Sequence, residues 1–144
     1  MVKRARRVGA GVLLTLALAT PAFAASSDGS WNSSFSEWLT GKESRQWTDN
    51  AKYQGNTTIK LSGCTYNSPS LSNLSLQLHR ADTWTPDENY EVRKYNCTSG
   101  SKNVTNTWGN KGAGKFYFHL YAIQGRTDGA GWMNASANSV AVSY

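Results

Sequence analysis

The chain is poor in cysteine, proline, histidine and charge, and each shortage excludes something. Of its 144 residues only two are Cys, three Pro and two His, and 17% are charged. Two Cys far apart, with no His at ligand spacing, make no zinc pattern. Low charge combined with abundant aromatics is the reverse of a disordered composition. There is no Gly-x-Ser-x-Gly elbow, no His-Glu-x-x-His and no phosphate-cradling glycine loop. Beyond residue 24 no apolar run approaches the roughly 20 residues of a membrane helix. Nothing sustains helical periodicity over three turns; Phe35, Trp38 and Leu39 come closest, and Gly41 ends the pattern. No internal repeat is present.

What is there begins with an export signal. Lys3, Arg4, Arg6 and Arg7 precede an apolar run from Val8 to Thr20, and Ala22-Phe23-Ala24 supplies a small-x-small cleavage pattern. Residues 1–24 are therefore expected to be a secretory signal peptide cut after Ala24, leaving 25–144 as a single extracellular domain without an anchor. Arg6-Arg7 is followed by Val8-Gly9-Ala10, without the bulky residues of twin-arginine signals, so general secretion is expected. The formal charge of +6 belongs mostly to that leader: eleven Lys/Arg and nine Asp/Glu lie beyond it, a net +2. These cations are spread evenly with no run longer than Arg93-Lys94, which gives no nucleic-acid footprint. Asn-x-Ser/Thr sites at Asn32, Asn56, Asn73, Asn96, Asn103 and Asn134 read as a polar surface, since the alanine-rich signal looks bacterial. In an oxidising compartment Cys64 and Cys97 are expected to form a disulfide, and closing the loop between them stabilises by about 3–4 kcal/mol.

The recurring pattern is alternation with a period of two. It places Ile59 and Leu61 on one side of 57–61, and Leu74, Leu76 and Leu78 on one side of 74–79. Phe116, Phe118 and Leu120 share a face in 115–123, the run 90–95 alternates less cleanly, and 140–144 is a β-branched last strand. Turn signals at Gly41-Lys42, 53–56, 67–69, Pro86-Asp87, 112–114 and 128–131 separate these runs. Seven to nine short strands at this spacing predict an all-β, antiparallel sandwich, Ig-like or jelly-roll-like.

Parity then defines a surface. If the leucines of 74–79, the Phe/Leu face of 115–123 and Val92 are core, the opposite face carries Gln77, His79, Glu91, Arg93, Tyr95, Tyr117, His119 and Tyr121. Aromatic rings beside hydrogen-bonding groups suit a sugar, whose C–H face stacks while its hydroxyls are read laterally. They also suit a protein interface. The bland alternative is a second small cluster, covered by a loop or by the N-terminal segment. Trp84, Trp108 and Trp132 sit beside polar or glycine-rich turns and are either ligand platforms or plugs for the sandwich end. Asp82, Asp87 and Glu88 offer oxygens near Asn89, but their spacing matches no calcium loop, so an acidic solvated turn is the better reading. No cofactor is expected.

In signal style, size and composition the chain is similar to the small exported β-sandwich proteins of filamentous, GC-rich bacteria. That group includes carbohydrate-binding modules and inhibitors of secreted hydrolases. The first reading, drawn from that face and those loop residues, is a non-catalytic secreted binding domain for a polysaccharide or cell-envelope glycan, with Arg93, Tyr95, Tyr117, His119, Tyr121, Trp84 and Trp108 as the contact residues. A second reading is an inhibitor or interaction domain presenting the loop at 82–89 or 109–114 to a secreted protein partner. A third is a small hydrolase or nuclease using His79 and His119, which requires the two imidazoles within roughly 10 Å.

Overall fold

Eight strands and no helix make up the described residues, which are 27–128 and 131–144 of a computed structural model. The proposed signal segment 1–24 and part of the glycine loop at 128–131 lie outside them. The strands are β1 (Ser30–Trp38), β2 (Trp47–Asp49), β3 (Thr58–Tyr66), β4 (Leu74–Ala81), β5 (Glu88–Tyr95), β6 (Val104–Thr107), β7 (Gly114–Ile123) and β8 (Ala135–Ser143). They form two four-stranded antiparallel sheets, ordered β1-β8-β3-β6 and β2-β7-β4-β5. The pairs β1/β8, β2/β7, β3/β6 and β4/β5 are those of one long hairpin rolled up on itself. This is the connectivity of a jelly roll.

The core lies between the sheets and follows the alternation in the sequence. Leu74, Leu76 and Leu78 of β4 and Phe116, Phe118 and Leu120 of β7 are sealed, and they face Ile59 and Leu61 of β3 and Val140 and Val142 of β8. Trp31 of β1 crosses the gap and stacks on Phe118, with ring centroids 6.3 Å apart. The Cys64–Cys97 disulfide ties β3 to the segment after β5. One flank of the sandwich is stitched by Asn106 Nδ2 donating to Lys94 O (2.9 Å) and Trp108 Nε1 donating to Glu91 O (2.6 Å).

Two elements depart from the sequence pattern for the same reason, an extra residue in a strand. β1 reads as a fragment of helix because Phe35 and Trp38 are three residues apart. Register shifts on either side of Phe35, with Glu37 in the left-handed region at φ 54°, let both rings turn inward and stack at 4.6 Å. In β5 a bulge falls between the Gln77–Val92 and His79–Asn89 pairs, which reverses the expected faces. Val92 is therefore half-exposed. Tyr95 is fully buried, its hydroxyl donating to Ile59 O at 3.0 Å. Arg93, opposite Leu76, shares the side of Tyr95, and its Nε is buried without a partner. The expected outer face thus loses Arg93 and Tyr95. β8 also begins earlier than 140, at Ala135.

Candidate functional site

The outer face of the β2-β7-β4-β5 sheet assembles most of what remains of the candidate set. Antiparallel register puts His79 beside Tyr117 and Gln77 beside His119. A segment preceding β2 runs along the other edge of β7, with Gly41 N donating to Leu120 O and Ser44 N to Phe118 O, so that Glu43 stands opposite His119. Sequence alone gives no sign of Glu43, which lies in a stretch that reads as a turn.

Four rings form a continuous stack across this face. Tyr117 lies on His79 at 4.9 Å, His79 on His119 at 4.5 Å, and His119 on Tyr121 at 5.9 Å. The imidazoles are joined directly, Nε2 of His79 to Nδ1 of His119 at 2.6 Å. In such a bond one nitrogen donates and the other accepts, so the pair is at ease when both rings are neutral. Burial pushes both imidazoles below the ordinary value of 6.5; Asn89, Asp87 and Glu43 partly restrain the fall at His79, and His79 adds to it at His119. The Tyr117 hydroxyl donates to Asp87 Oδ2 at 2.7 Å. Burial first, and then that carboxylate, push the phenol upward, while the hydroxyl and the Asp82 N–H hold Asp87 below the ordinary carboxylate value.

The ring faces are consequently turned to one another along the sheet and not to solvent. Tyr117 and His79 are buried, with 8% and 6% of their surfaces exposed, and Nδ1 of His79 is sealed. Tyr121, at 36%, and the half-buried His119 remain accessible. The two imidazoles meet the distance that acid–base chemistry needs, yet only one of them can be reached.

The three loop tryptophans separate completely. Trp108 is 2% exposed and plugs the sandwich, its indole satisfied by Glu91 O. Trp132, 55% exposed, lies at the disulfide end, where Asn67 Nδ2 donates to its carbonyl. Trp84 is 95% exposed, at the tip of the β4–β5 hairpin. The base of that hairpin loop is tied by Asp87, which accepts from the Asp82 N–H at 3.1 Å and from Tyr117. The ring stack thus ends where the Trp84 loop begins. Asp82 and Glu88 are further engaged with Arg80 at 3.9 Å each. Among the described residues no group of three or more His, Cys, Asp or Glu side chains is placed to hold a metal ion.

A scan against known protein families, a search among curated proteins and a search among solved structures each find no match to this chain.

Proposed function

We propose that this is an exported, non-catalytic carbohydrate-binding domain whose principal contact is Trp84. The observation that carries the reading is the exposure of that indole, 95%, on a loop fastened at its base. Burying a large apolar side chain is worth upward of roughly 2 kcal/mol, and here the domain itself buries almost none of it. A flat ring flanked by Asp82, Thr83, Thr85 and Asp87 can stack on the C–H face of a pyranose while hydroxyls and carboxylates read its edges. The acidic neighbours argue against an anionic membrane or a nucleic acid as the surface engaged.

The test is retention of the purified protein on chitin, cellulose, xylan and peptidoglycan, with Trp84→Ala alongside. Retention on one polymer, competed by its soluble oligomer and weakened at least roughly tenfold by the substitution, supports the reading. Equal retention of both proteins, or none on any polymer, overturns it. In that event inhibition of a secreted hydrolase at stoichiometric protein becomes the measurement to make.

A further inference from the structure

On the flank opposite Trp108, between β1 and the segment leading into β2, the sheets leave a cavity of about 90 Å³. Its walls include Trp31, Phe35, Trp38 and Phe118, with Arg45 among the lining residues. Between the Glu43–His119 and Trp47–Phe116 pairs this edge carries one residue more than β7, a bulge that turns Arg45 to the side of Trp47. The guanidinium comes to rest 4.8 Å from the centre of the Trp31 ring, exposed, and makes no ion pair among the described residues. Trp31 is itself 93% buried, and its indole N–H is sealed without an acceptor. That N–H presents almost no surface to the cavity, so a ligand there meets the Trp31 ring and not its nitrogen.

We propose that this cavity binds a short aliphatic carboxylate, its chain against Trp31, Phe35 and Phe118 and its carboxylate held by Arg45. One cation and aromatic walls match a monoanion with an apolar tail; a phosphate would bring more charge than a single guanidinium balances. Size sets the chain length. A cavity of about 150 Å³ takes the six carbons of benzene, so this one takes a tail of about three or four carbons, with the carboxylate outside it at the exposed Arg45. The site lies on a different flank from Trp84 and is independent of what that loop binds.

The probe is sodium butyrate, with butyramide as its uncharged counterpart. The readout is the indole N–H resonance of Trp31 in ¹⁵N-labelled protein, identified by its absence in Trp31→Phe. Butyrate should shift that resonance saturably, with a Kd of about 1 mM, the range open to a ligand of so few atoms. Butyramide should not. Arg45→Gln, at an exposed position, should weaken the effect at least tenfold, and Ser34→Phe, which fills the lining from an exposed strand position, should abolish it while leaving the other indole resonances in place. No shift with butyrate, an equal shift with butyramide, or a shift that survives Arg45→Gln overturns the proposal.

Discussion

At the scale of single residues the burial of His79 and His119 ties stability to pH. Both rings titrate below 6.5 when folded and near 6.5 when unfolded. Between those values the unfolded chain binds more protons, so stability is fully present above pH 6.5 and declines as pH falls. Urea midpoints measured between pH 7.5 and 5.5, above the range where carboxylates titrate, should fall steadily for the native chain. They should stay nearly level for the His79→Asn/His119→Gln double variant, and equal slopes in the two proteins would refute the assignment. Tyr95 makes a second residue-scale case. Tyr95→Phe removes the 3.0 Å hydrogen bond from the hydroxyl to Ile59 O in a sealed site, and should cost about 0.5–1.5 kcal/mol in chemical denaturation.

At the scale of elements, legibility depended on whether a strand keeps its period. β4 alternates without interruption, so its leucine core and the outward aim of Gln77 and His79 could be read directly. β1 and β5 could not be read this way, because a bulge resets parity and no residue type announces it: nothing in Tyr90-Glu91-Val92 says that Val92 faces out and Tyr95 in. The site divided along the same line. The stack on β4 and β7 was visible as a face, whereas Glu43, supplied by an irregular edge segment, and the contrast between Trp84 and Trp108 depend on tertiary contacts. Two predictions belong here. Tyr117→Phe removes the donor that fastens Asp87 at the base of the β4–β5 loop. It should speed amide exchange in 82–87 and weaken polysaccharide retention several-fold, leaving the core exchange unchanged. In β3, Gly63 sits at φ 60° with Asn138 Nδ2 only 2.7 Å from where a Cβ would stand. Gly63→Ala should therefore destabilise by at least about 1–2 kcal/mol from backbone strain alone, measurable as a lower Tm.

At the scale of the whole molecule, the disulfide and the exposed indole lie at opposite ends of the sandwich. β4 starts with Leu74 paired to Tyr95, two residues from Cys97, and ends at Ala81, three residues before Trp84. Cys64→Ser/Cys97→Ser should accordingly lower stability by about 3–4 kcal/mol while leaving affinity at Trp84 unchanged wherever the domain is still folded. A parallel loss of both would show that the loop depends on the distant crosslink.

The place of β8 in the order β1-β8-β3-β6 has a consequence for how this chain comes to be folded at all. The eighth strand is the one that separates the first from the third, so no chain that stops before it can assemble that sheet. During synthesis β1 waits unpaired, and β3, which can meet only β6, lacks its second neighbour, for some seventy residues after β3 has emerged; such non-local pairing folds in milliseconds to seconds, and not before β8 is available. Interrupted before Ala135, the chain becomes no smaller domain but two open strand edges, each a template for aggregation.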